Sequence, residues 1–103
     1  MTASNKLFLK IGSDLDETTE SKLFGKPCFK IGKKAFICFF QEDLVCKLKG
    51  DFHTAALDLK GAKLFDPSGK KRPMKEWVQI PYTHKKQWKK YAEAALQYVQ
   101  ENL

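Results

Sequence analysis

The side chains with the strongest intrinsic chemistry in this 103-residue chain are Cys28, Cys38, Cys46, His53 and His84. Metal binding needs imidazoles or thiolates clustered at ligand spacing. No Cys-x-x-Cys, His-x-x-x-His or His-Glu-x-x-His occurs, so no metal is expected and both histidines are assigned to helix surfaces. Nucleophilic catalysis needs an ionised thiol in an electropositive, partly exposed setting. Cys38, between Phe36 and Phe40, has the opposite setting. Cys28, two residues from both Lys26 and Lys30, is the best placed of the three. Packing is still the favoured role, because free cysteine behaves as a small buried hydrophobe. Three cysteines at spacings of 10 and 8 make no disulfide framework and point to a reducing compartment, the cytoplasm.

Ser68-Gly69-Lys70-Lys71 invites comparison with a phosphate loop. A Walker loop needs a glycine five positions before its Gly-Lys pair and a Ser or Thr after it. Leu64 and Lys71 stand there, which excludes the NTPase reading. A Ser-Gly turn beside cations can still hold an anion through backbone N–H groups and charge. Ser68, Gly69, Lys70, Lys71, Arg72 and Lys75 are therefore the candidate anion- or partner-binding residues, with a phosphorylated small molecule as one ligand class; the alternative is a solvated surface turn. The carboxylates of residues 14–20 fit a solvated loop better than an acid/base pair. Neither a catalytic residue nor a cofactor is expected.

The net charge is +7. Residues 1–21 hold two lysines against four carboxylates; the rest holds seventeen basic and eight acidic groups. Such a field draws acidic proteins or polyanions. Lysines cluster at 26, 30, 33 and 34, and again at 85, 86, 89 and 90, with Lys70, Lys71, Arg72 and Lys75 between. Eighteen of the nineteen cations are lysines, whereas bidentate base or phosphate reading favours arginine. Any nucleic-acid contact is expected to be weak and salt-sensitive.

Composition bounds the class. Hydrophobic residues are 43% and charged residues 30%, as in a soluble globular domain. The longest apolar run, residues 35–40, is far short of the roughly 20 that a spanning helix needs. No secretory signal opens the chain. No membrane association is expected, and the length suits a single domain over residues 1–103.

The elements follow from periodicity. Ser4 is a candidate N-cap for a helix over about 4–14, with Leu7, Phe8 and Ile11 at helical spacing. Strands follow at 22–24, 28–31, 35–40 and 44–48, joined by connections short enough for an antiparallel meander. Pro27 suits a strand start. Asp51 caps a helix through about 59, with Phe52, Ala55, Ala56 and Leu59 on its apolar side, ended by Gly61. Leu64 and Phe65 are a short apolar pair before a turn. Residues 76–80 alternate as a strand. Thr83 caps a last helix over about 84–101, with Trp88, Tyr91, Ala92, Ala95, Tyr98 and Val99 on one face. The result is an α+β fold with a single antiparallel sheet, in the order α-β-β-β-β-α-β-α.

Strand 35–40 is apolar on both sides, with Phe36, Cys38 and Phe40 opposite Ala35, Ile37 and Phe39. Such a strand wants cover above and below. Three helices cover one sheet face only, so Ala35, Ile37, Phe39 and Val45 are the candidate dimer or partner face, and a homodimer is expected.

Residues 22–36 (KLFGKPCFKIGKKAF) resemble the MFG-x-P…x-GK-x-F opening of the TfoX/Sxy N-terminal domain family, departing at Leu23, where the family has Met. Residues 64–69 and 72–81 (RPMKEWVQIP) resemble its F-x-P-x-G…RPM-x-EW-V segment, and residues 94–99 its final EAL-x-YV helix. The resemblance spans about residues 4–100. It implies a fold related to YjbR-like and secretion-chaperone-like domains, in a bacterial cytoplasmic protein. Full-length members are competence regulators understood to act with the cyclic-AMP receptor protein through a further helical domain. This chain stops where that domain would begin, so the implied protein is a stand-alone N-terminal-like domain. The family supplies no catalytic residues. The expected function is a non-catalytic protein-interaction or regulatory module, with weak nucleic-acid binding or anion binding at the 67–75 loop as alternatives.

Overall fold

The computed structural model describes residues 2–23, 25–67 and 73–102. Its elements are α1 (Ala3–Ser13), β1 (Thr18–Leu23), β2 (Lys26–Ile31), β3 (Lys34–Phe40), β4 (Asp43–Lys47), α2 (Asp51–Leu57), β5 (Lys63–Phe65), β6 (Met74–Ile80), a 3-10 turn (Tyr82–His84) and α3 (Lys85–Glu101). The six strands form one antiparallel sheet in the order β1-β2-β3-β4-β6-β5. The α+β class and the order of helices and strands are those expected, with the pair Leu64-Phe65 promoted to a sixth strand.

Three caps differ from expectation. Thr2, not Ser4, caps α1, accepting the Asn5 N–H at 3.1 Å. Ser4 is buried in the first turn, and its hydroxyl donates to Glu42 Oε1 at 2.8 Å. Glu42 belongs to the β3–β4 turn, where Gln41 and Glu42 both take positive φ, the sense a two-residue hairpin needs. Bonds from Thr2 and Ser4 hold the Glu42 carboxyl below its ordinary pKa. Gly50, with φ of 66°, rather than Asp51, precedes α2. The 3-10 turn containing Thr83 leads into α3, so Thr83 caps nothing.

All three helices lie on one sheet face. Phe8 and Ile11 of α1, Ala56 of α2 and Trp88, Tyr91, Ala92, Ala95 and Val99 of α3 share a core with Phe29, Ile37, Phe39, Leu44, Cys46, Val78 and Ile80 of the sheet. Gly12 permits the closest approach, since a Cβ there would overlap the Phe29 ring. A glycine that weakens α1 as a helix therefore lets it pack.

The other face has its own core of Cys28, Cys38, Val45, Phe65 and Trp77, flanked by Leu23, Ala35, Phe40 and Met74. Phe65 sits on edge strand β5, yet its ring meets Phe40 of β3 at 5.2 Å and Trp77 at 6.5 Å. The register of β5 against β6 shifts between Leu64 and Phe65. Leu64 opposes Val78 of the helix-facing core, so Phe65, the next residue, falls on the second face with Trp77.

This corrects the expected partner face. The register of β2 against β3 slips between Phe29 and Lys30, pairing Phe29 with Ile37 but Lys30 with Ala35, so Phe36 is an extra residue. A bulge breaks the alternation. Phe36, Ile37 and Phe39 enter the helix-side core, while Ala35 and Val45 stay with Cys38 on the second face. The set Ala35, Ile37, Phe39 and Val45 is thus divided between faces, and Ile37 and Val45 are each 0% exposed within one copy.

Candidate binding groove

The chain leaves β4 at Leu48, whose N–H donates to the Glu76 carbonyl at 2.8 Å. Gly50 then turns it into α2, a positive φ that glycine adopts without strain. Phe52 falls in the first turn of α2, 44% exposed, its ring edge-on to Tyr91 at 6.4 Å. From the opposite wall α3 presents Ala94, Gln97, Tyr98 and Glu101. Leu48, Lys49, Gly50 and Phe52 complete an open groove of about 380 Å³. The Tyr98 hydroxyl donates to Glu76 Oε2, which fixes the ring in the wall and raises the phenol's pKa. Gln97 donates to Glu101 at 3.3 Å. The floor is apolar and the rim carries one ammonium and one carboxylate.

Phe52 was expected on the buried side of its helix. It lies on that side, four residues before the buried Ala56 and edge-on to Tyr91, but in the first turn of α2, where it lines the open groove and stays 44% exposed. The sequence signal for the groove is Gly50 just ahead of an aromatic residue.

The lysine clusters do not converge as sequence blocks. Lys85 and Lys86 open α3 and Lys34 reaches its far end, where its ammonium donates to the Asn102 carbonyl at 2.9 Å. At 1.5 Å per residue those ends are roughly 25 Å apart. Antiparallel pairing instead gathers Lys33 and Lys34 at the entry to β3, Lys47 and Lys49 at the exit from β4, and Lys75 at the start of β6. That sheet end also carries the groove. Lys26 lies over the Phe40 ring at 5.5 Å, on the second face.

Of the candidate anion-binding residues, Ser68, Gly69, Lys70, Lys71 and Arg72 lie outside the described residues. Lys75 is exposed, and its carbonyl accepts a bond from His53 Nε2 at 2.7 Å. His84 Nε2 donates likewise to the Lys60 carbonyl at 2.8 Å. Both histidines are half-buried ties between elements. A second depression, about 510 Å³, sets Asp14, Asp16 and Glu17 opposite Glu93. Among the described residues no group of three or more His, Cys, Asp or Glu could hold a metal, and no helix is long and apolar enough to cross a membrane.

The cysteines are all buried and free. Burial raises the Cys28 thiol pKa against the pull of Lys30, pushes Cys38 up to about 12, and raises Cys46 well above the usual value. These thiols are protonated at neutral pH and pack as hydrophobes. A thiol whose folded pKa is raised contributes stability that is intact below its unfolded pKa and lost above it. For Cys38 the window runs from 9.0 to about 12. Across it stability should fall by about 1.4 kcal/mol per pH unit from this thiol alone. Urea unfolding at about pH 8 and about pH 10 checks this, with Cys38→Ala expected to lessen the slope.

No family model matches the chain, and no curated protein or solved structure matches it.

Proposed function

We propose that this protein is a non-catalytic interaction module whose groove between α2 and α3 receives an apolar side chain of a protein partner, with acidic residues beside it meeting the lysines of the same sheet end. Phe52 carries the reading. A large aromatic 44% exposed at the lip of an apolar groove loses water-exposed area when a partner covers it. Lys47, Lys49 and Lys75 favour an acidic flank. The resemblance of residues 22–36 and 72–81 to the TfoX N-terminal family supports a regulatory role of this kind in a bacterial cytoplasm. A homodimer through the second face loses its motive, because that face is filled within one copy by Phe65 and Trp77.

Selection from a random peptide library tests the proposal. Binders should share a large apolar residue flanked by Asp or Glu, weaken as salt rises, and lose about thirtyfold in affinity to Phe52→Asp, as for an interface hot spot. Phe52 loses only a part-exposed contact with Tyr91 and stands in the first turn of α2, where a carboxylate is favourable, so the variant should stay folded and melt within a few degrees of the wild type. Binders without acidic bias, or equal affinity for the variant, would overturn the reading. Tight low-salt binding of oligonucleotides in place of peptides would put the nucleic-acid reading ahead.

A further inference from the structure

Strand β1 is one free edge of the sheet; the other, β5, has three residues. A short edge strand is a poor template for further pairing, whereas a long regular one offers a row of unpaired backbone donors and acceptors. β1 runs six residues in unbroken register with β2, from Thr18 opposite Ile31 to Leu23 opposite Lys26, with neither proline nor bulge. Thr19, Glu20 and Lys22 on it are exposed.

The charges on this edge are self-complementary in one register. Glu20 and Lys22 are two apart in the strand, so they share a face. We infer that β1 pairs with β1 of a second copy of this chain, antiparallel and centred on Ser21, joining two six-stranded sheets into one. That register sets Glu20 opposite the partner copy's Lys22 and Lys22 opposite the partner copy's Glu20. Directly opposed residues of an antiparallel pair lie close enough for such pairs to stabilise it and for like charges to oppose it. A register centred on Glu20 puts two carboxylates face to face, and one centred on Lys22 puts two ammoniums face to face. Charge therefore selects the Ser21 centre. β2 and β3 separate this edge from β4 and the groove, so pairing leaves the groove open. The pairing does not depend on what the groove holds.

Sedimentation equilibrium of the full chain up to roughly 300 µM tests it, a range suited to a modest interface. The wild type should self-associate to a dimer. Lys22→Glu should weaken the dimer about tenfold by placing two carboxylates opposite each other on both sides of the axis. The exchange Glu20→Lys with Lys22→Glu should restore affinity to within about threefold, because the opposed charges are only reversed. Thermal melts at low concentration should show all three proteins equally folded. A monomer throughout, a dimer indifferent to Lys22→Glu, or an exchange that fails to recover would overturn the inference. An added foreign strand that binds β1 while the chain stays monomeric would also overturn it.

Discussion

Phe65→Ala is expected to lower stability by about 3–5 kcal/mol, the usual cost of emptying a buried aromatic site. Against the roughly 5–15 kcal/mol that holds a small domain together, that is a severe loss. Phe65 is 0% exposed although it belongs to a three-residue edge strand. Its ring bridges Phe40 and Trp77 above the second face. With it removed, the layer over Cys28, Cys38 and Val45 thins. Urea denaturation would show a lower midpoint, and a thiol reagent under native conditions would label Cys28 and Cys38 faster than in the wild type. Unchanged stability and labelling would mean that something else seals this face.

Trp88→Ala should cost about as much, roughly 3–5 kcal/mol. Trp88 is the largest fully buried side chain, and α3 hangs on it. The indole packs edge-on to Tyr82 at 5.4 Å, and its N–H donates to the Pro81 carbonyl at 3.1 Å, binding the 3-10 turn to the helix that follows. Trp88→Phe separates the contributions. It keeps much of the ring's packing and removes the donor, so it should cost less, with the hydrogen bond worth about 1 kcal/mol. Equal losses in the two variants would assign the whole effect to the bond.

Long periodic segments were legible in the sequence. The α3 face was read almost whole: Trp88, Tyr91, Ala92, Ala95 and Val99 are all buried, and only Tyr98 turns aside to the groove. The alternation of Leu44, Cys46 and Leu48 against Val45 also holds. Features one residue long were not legible. Phe36 is an extra residue in β3, and nothing in an all-apolar run marks where strict alternation fails. β5 is too short for any period to show, yet its Phe65 closes the second face, so a strand that looked bare from the sequence is covered. The groove is not legible because Phe52 has the spacing of a core residue, and only the packing of α2 against α3 leaves its ring part-exposed beside Tyr98. Gathering Lys33, Lys47 and Lys75 at one end needed the strand order, which sequence spacing does not carry.

Chemical-shift mapping tests the groove most directly. Isotope-labelled protein would be titrated with a library-selected peptide bearing an apolar anchor and acidic flanks. Perturbed amides should concentrate at Leu48, Lys49, Gly50 and Phe52 and at Ala94, Gln97, Tyr98 and Glu101. Shifts confined to β1, to the second face around Cys38 and Phe40, or to no single region would contradict the groove as the place where this protein meets its partner.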